Sequence, residues 1–344
     1  MENNKQGCPL RIVEWNIQQK KDILTSNNEP NLYEIIKNKE PDIVVLTECG
    51  SSFENIENII KTINKEEKSS NWEIFFSKEN NFNYIAILVN VNNEKIETVE
   101  RSNFQEDFCE NNGRAKIHPD RIAVKITLKN NTDITVLGVR LLTGWGQVAP
   151  KNIYEKLLSP YAKRILQNAQ FINDIEFIEP DIIIGDFNTD SEMYAPGIYD
   201  IEKWEKDILK GTDKQTDREL PPIINSWNKL IEPICEDNRA EVLNIFCKLI
   251  SPKKGKSYEY WPTKKTKAYS FCSKRTKKDA DGQNIAKYTA PDTIIYSNKI
   301  SLSVPGEDSD KTNPRYYPEI APNQKLAKDW PSDHCMLITD IEIN

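Results

Sequence analysis

Pro180–Asp190 reads PDIIIGDFNTD, and the reading of this stretch organises the rest of the chain. Ile182, Ile183 and Ile184 make a short β-branched apolar run, as expected of a strand buried on both faces. Gly185 ends the run and lets the backbone turn. Asp186 and Asn188 then fall at the carboxyl end of the strand, where open α/β sheets place their chemistry. A strand followed by an Asx-rich turn accounts for the same letters, and the surrounding chain has to decide between the two.

Composition narrows the choices. With 344 residues the chain can bury a large core in one or two domains. Hydrophobic residues at 38% and charged residues at 29% fit a soluble globular protein. The net charge of −7 argues against adsorption of the whole surface to nucleic acid or membrane, but not against a local basic groove. No run of apolar residues is long enough for a transmembrane helix, and MENNKQGCPL has no signal-peptide core. The seven cysteines are scattered and form no CxxC, which points to reduced thiols and a cytoplasmic protein. With His118 and His334 as the two histidines, the sequence argues against a Cys/His zinc site.

Working outward, residues 10–17, 42–47, 72–77, 84–90, 121–128, 133–142, 292–297 and 335–343 read as strands. Asn130-Asn131 supplies a hairpin turn between two of them. Residues 31–40, 52–66 and 161–178 read as helices; in the last, Ala162, Ile165, Leu166, Ala169 and Ile172 keep helical spacing. The expectation is an α/β fold with mixed sheets, in a single domain over 8–344 with an elaboration at about 191–268. His118 falls in an irregular polar stretch and reads as a loop residue.

Lys253–Lys287 is strongly basic and interleaved with Tyr258, Tyr260, Trp261, Tyr269 and Phe271. Such a strip suits contact with a nucleic-acid backbone and stacked bases, with Lys274, Arg275, Lys277 and Lys278 as candidate contacts. A solvated lysine-rich loop is the competing reading.

The polar residues at strand ends are Asn16, Glu48, Asp186, Asn188, Asp292, Asp333 and His334. Carboxylate and amide oxygens without cysteine are the ligand set of a hard cation such as Mg²⁺ or Mn²⁺. An imidazole among them can donate to a phosphate oxygen or move a proton. For Glu48 alone, a solvated strand end is the simpler reading.

These residues resemble a known family, the endonuclease/exonuclease/phosphatase superfamily, which includes pancreatic-type deoxyribonuclease and exonuclease III-type abasic-site endonucleases. Five segments carry the resemblance in order: Trp15-Asn16; Leu46-Thr47-Glu48, where Gln is more usual than Thr47; Gly185-Asp186-Phe187-Asn188; Tyr269-Ser270-Phe271 followed by Asp292; and Ser332-Asp333-His334. The resemblance implies a four-layer sandwich, two face-to-face mixed β-sheets flanked by helices, with the site at one edge. It implies that Glu48 binds the metal with Asn16 and Asp333, that Asp186 and Asn188 position and activate water, and that His334, oriented by Asp292, contacts the phosphate. One residue departs from the pattern. Arg140 stands where many members carry a histidine; its planar fork suits a phosphate clamp but cannot serve as a general acid. The implied activity is a divalent-metal-dependent phosphodiesterase acting as a nuclease. Phosphatase or lipid-headgroup hydrolysis on the same fold is the alternative, followed by a non-catalytic binding module.

Overall fold

The computed structural model describes residues 9–18, 31–50, 53–67, 70–77, 84–104, 120–141, 171–187, 255–261, 271–278, 284–289, 292–303, 315–317, 332 and 334–344, with 271–278 and 284–289 described by their backbone. The strands in chain order are β1 (Leu10–Asn16), β2 (Ile43–Thr47), β3 (Trp72–Phe76), β4 (Ala86–Asn90), β5 (Ile96–Ser102), β6 (Asp120–Leu128), β7 (Asp133–Arg140) and β8 (Ile182–Asp186). They continue with β9 (Tyr258–Trp261), β10 (Phe271–Lys278), β11 (Asn284–Thr289), β12 (Asp292–Ser297), β13 (Ile300–Ser303), β14 (Arg315–Tyr317) and β15 (Met336–Ile343). Helices α1 (Leu32–Lys39) and α2 (Phe53–Glu66) lie between the early strands, and residues 171–178 are helical.

Two mixed sheets form the body. The first, of seven strands, runs β13-β15-β1-β2-β4-β3, with β14 also on β15. The second, of six, runs β5-β6-β7-β8-β12-β9. The parallel pairs are β1 with β2 and β7 with β8. Strand alternation explains why the apolar runs are continuous. On β2, Ile43 and Val45 join a core shared with Ile122, Val124, Ile182 and Ile184 of the second sheet. Val44 and Leu46 face the other way, against Leu32, Ile35 and Ile36 of α1 and Ile56, Ile60 and Ile63 of α2. Beyond the second sheet, Phe171 of the 171–178 helix packs edge-on to Phe187, and Asp174 pairs with Arg121. The layers are therefore helix, sheet, sheet, helix. Gly138 lies on the inner face, where a Cβ would press on Val45, Ile85 and Ile87 of the opposite sheet.

The sequence expectation of two face-to-face mixed sheets with outer helices holds. Six strands escaped it: β5, β9, β10, β11, β13 and β14. β5 is mostly exposed, so its apolar signal is weak. β9 lies inside the stretch read as an elaboration, yet pairs with β12 in the second sheet. Its aromatics are core residues and not a stacking surface. Tyr258, Tyr260 and Trp261 are buried, the Tyr258 hydroxyl donates to the Pro180 carbonyl, and Trp261 packs on Tyr316. Lys274, Arg275, Lys277 and Lys278 belong to β10, which pairs with β11 in a separate two-stranded sheet. His118, and the helical stretch before residue 171, lie outside the described residues.

Candidate active site

The inner face of the second sheet carries a polar rank at one end. Asp120, Arg140, Asp186 and Asp292 are register partners across β6, β7, β8 and β12. Two residues along each strand, Ile122, Gly138, Ile184 and Ile294 form the matching apolar rank. The site is thus the last rung of the core, where hydrophobic packing gives way to charge. All four polar residues are buried. Gly185, just before Asp186, has φ +148, and a Cβ there would collide with the Val139 carbonyl. Glycine is what allows β8 to deliver Asp186 into the rank.

The first sheet closes the site from above. Asn16 at the end of β1 donates from Nδ2 to Asp186 Oδ2 at 2.9 Å, and its Oδ1 accepts from the Gln18 amide at 3.0 Å. The Trp15 indole donates to the His334 carbonyl at 3.3 Å. The Ser332 hydroxyl donates to the Asn16 carbonyl at 2.7 Å and accepts from the His334 amide at 3.1 Å. These bonds explain why Trp15-Asn16 and Ser332…His334, far apart in sequence, act as one unit. His334 Nδ1 lies 2.8 Å from Asp292 Oδ2. A carboxylate only accepts, so Nδ1 carries the proton in this contact and Nε2 is the acceptor of the neutral ring.

Glu48 follows β2 in a left-handed backbone conformation, φ 54. Its Oε1 accepts from Arg140 Nε at 2.8 Å and Nη2 at 2.7 Å. Arg140 Nη1 reaches Asp120 Oδ2 at 3.5 Å. Burial works against the Arg140 charge, but the carboxylates of Glu48, Asp186 and Asp120 outweigh it and hold the guanidinium above its ordinary value. Burial, reinforced by Asp292, pushes the Asp186 carboxyl up to about 6, against the opposing pull of His334 and Arg140.

One acidic residue escaped the sequence reading. Glu14, fully buried on β1, points into the same inter-sheet space as Asn16. Burial first, then Asp292 and Asp186, push its carboxyl well above the usual range. Its Oε1 accepts from the Thr47 hydroxyl at 3.3 Å, and among the described residues Oε2 has no hydrogen-bond partner. Thr47 is the position at which the sequence departs from the more usual Gln. The signal available was alternation on β1: Leu10, Ile12, Glu14 and Asn16 share one face, and the first two are core residues.

Asp186, Asp292 and His334 offer ligand atoms within 4.8 Å of one another, a group that could hold a metal ion. Hard oxygens, an imidazole and clustered buried carboxyls fit a divalent cation. Glu48 and Asn16 stand beside this group, whereas Asn188 and Asp333 lie outside the described residues.

Comparisons with solved structures return matches at low similarity. D. rerio TDP2 complexed with single-strand DNA product is 13% identical, with a TM-score of 0.47, over 98% of this chain and 100% of that one. An AP endonuclease from Archaeoglobus fulgidus is 15% identical, TM-score 0.47, over 96% and 98%. ANGEL2, a 2′,3′-cyclic phosphatase, is 15% identical, TM-score 0.47, over 97% and 95%. No family model and no curated protein matches the chain. At these values the likenesses leave function to the chemistry of the polar rank. No helix among the described residues is long and apolar enough to cross a membrane.

Proposed function

We propose that this chain is a divalent-metal-dependent phosphodiesterase, a nuclease that hydrolyses nucleic-acid phosphodiester bonds. The observation that carries this reading is the convergence of two buried carboxyls, Asp186 and Asp292, with His334 and a cationic Arg140 at one end of the inter-sheet space. Three of the five sequence segments carry residues of that convergence, Asp186, Asp292 and His334, whereas Arg140 comes from outside them.

The contacts of the described residues support the roles given to them, and Asn188 and Asp333 take theirs from the sequence resemblance. Asp186, turned by the Asn16 amide, orients the attacking water and accepts its proton; a carboxyl pushed up to about 6 is a better base than an exposed aspartate. Asn188, two residues on, helps position that water. Asp292 fixes the His334 ring, so that Nε2, when protonated, donates to a phosphate oxygen. Glu48, with Asn16 and Asp333, would hold Mg²⁺ or Mn²⁺. Its side chain is 19% exposed, and an ion there leaves the Asp292–His334 contact intact. The bound cation would neutralise phosphate charge and help align the diester.

Nucleic acid is favoured by Lys274, Arg275, Lys277 and Lys278 on β10, whose hairpin leads through β11 directly into the Asp292 strand. The reading is tested with plasmid DNA, single-stranded DNA, RNA, a phosphomonoester, a phospholipid headgroup diester and a generic aryl diester, each with Mg²⁺, Mn²⁺ or EDTA. Cation-dependent cleavage of nucleic acid and of the generic diester is expected. Turnover of the monoester or headgroup alone would move the assignment to a phosphatase or lipid hydrolase. No turnover with any of them would support a binding module.

A further inference from the structure

The contact between Arg140 and Glu48 crosses from one sheet to the other. Arg140 ends β7 in the second sheet, and Glu48 follows β2 in the first. Two guanidinium nitrogens, Nε and Nη2, converge on the single oxygen Oε1. A carboxylate can receive a metal ion through one oxygen in the same way, so the two positive groups compete for the same atom. The two partners differ in freedom. The Arg140 side chain is 10% exposed and sits in the strand rank between Asp120 and Asp186. Glu48 lies beyond its strand end, at φ 54 and with a more exposed side chain.

We propose that Arg140 is the stand-in cation of Glu48. It neutralises the carboxylate until a divalent ion arrives, and is then handed to the substrate phosphate while Asp120 keeps it in the rank. The inference rests on the phosphodiesterase reading and adds an order of events to it. An ion at Glu48 and a guanidinium on the same oxygen repel each other, so binding the ion loosens the Arg140 contact. A phosphate diester offers Arg140 the planar pair of acceptors that its fork matches. Ion and phosphate then favour each other's binding, and by linkage the favour is mutual. Arg140 acts here as a phosphate-binding residue that is masked while the site lacks its ion.

The masking can be read without turnover. A dinucleoside monophosphate carries a single diester, so its binding reports one phosphate and not a run of backbone contacts. Its binding is measured by calorimetry in EDTA, and Mn²⁺ binding is measured separately by electron paramagnetic resonance. In Glu48→Gln the mask is gone, so the metal-free protein should bind the dinucleotide about fivefold tighter than the parent, or more. In Glu48→Gln with Arg140→Met the gain should disappear. A purely structural ion pair predicts no gain. General relief of negative charge predicts the same gain with and without Arg140. Either result overturns the inference, while a parent that still binds Mn²⁺ keeps the phosphodiesterase reading. A parent that binds neither Mn²⁺ nor the dinucleotide overturns both. Arg140 is buried, so each variant is first checked for a cooperative thermal transition. If the double variant does not fold, Arg140→Lys replaces Arg140→Met, and Glu48→Gln with Arg140→Lys should show a smaller gain than Glu48→Gln alone.

Discussion

The Asn16 amide donates to Asp186 Oδ2 at 2.9 Å across the gap between the two sheets. Asn16 ends β1 of the first sheet and Asp186 ends β8 of the second. The bond joins the sheets at the end where apolar packing stops. It also helps fix the orientation of the Asp186 carboxyl. Below it, Ile12 and Ile184 belong to the shared apolar core.

Asp186 should make the metal-free protein less stable as pH rises. Its carboxyl sits at about 6 in the fold, raised from 3.8 chiefly by burial and by Asp292. The folded state therefore holds the proton more tightly than the unfolded chain. The cost of ionising it in place is absent below about pH 4 and complete above about pH 6, where it approaches about 3 kcal/mol. Melting temperature in EDTA should fall across that window, and a saturating divalent ion should restore most of the loss. Asp186→Asn should flatten the fall. A variant that tracks the parent at every pH would show that the penalty arises elsewhere.

Glu14 should behave as a neutral residue. An ionised carboxylate without a buried counter-ion costs far more than the ~1.5–3 kcal/mol returned by burying one aliphatic side chain. The fold is therefore compatible with Glu14 in its protonated form, as its upward shift indicates. Glu14→Gln should change unfolding free energy at neutral pH by less than about 1 kcal/mol and leave hydrolysis near the parent rate. Glu14→Lys should prevent folding. Chemical denaturation checks both, and a loss of several kcal/mol in Glu14→Gln would mean that the charge itself is needed.

Metal affinity should separate Glu48 from the Asp292–His334 pair. Glu48→Gln should weaken Mn²⁺ binding by about 10-fold or more, as expected for loss of a ligand. Asp292→Asn should leave Mn²⁺ affinity within about twofold while lowering turnover by about 10²- to 10⁴-fold, through a misdirected imidazole. The reverse pattern in the Mn²⁺ titration would move the ion into the Asp186, Asp292 and His334 group.

The β10 hairpin should govern the salt dependence of binding. Reversing charge at Lys274, Arg275, Lys277 and Lys278 removes up to four phosphate contacts. On single-stranded DNA each contributes a slope of about −0.7 in the log–log salt plot, so the plot should flatten by about 3. The generic aryl diester should be cleaved at the parent rate. An unchanged slope would return these residues to a solvated hairpin.

Much of this architecture is legible in the sequence because the core strands are apolar on both faces. Ile43–Thr47 and Ile182–Ile184 announce burial without any partner in view, and the polar residue that follows each run marks the site end. β9 is not legible, because Tyr258, Tyr260 and Trp261 sit among lysines. Their burial depends on a neighbour, β12, more than 30 positions away. Lys256 illustrates the same limit: it reads as part of a basic strip, yet it bonds Asp181 and the Glu179 carbonyl. The Arg140–Glu48 contact is equally hidden, since the two residues lie on different sheets.

If the polar rank is a hydrolytic site, Asp186→Asn should remove its activity. The substitution keeps the shape of the side chain and removes its ability to take a proton from water. Single-turnover cleavage of a labelled single-stranded oligonucleotide in Mg²⁺ should fall by at least about 10²-fold, while its binding affinity stays near the parent value. Cleavage at the parent rate by Asp186→Asn would contradict the account.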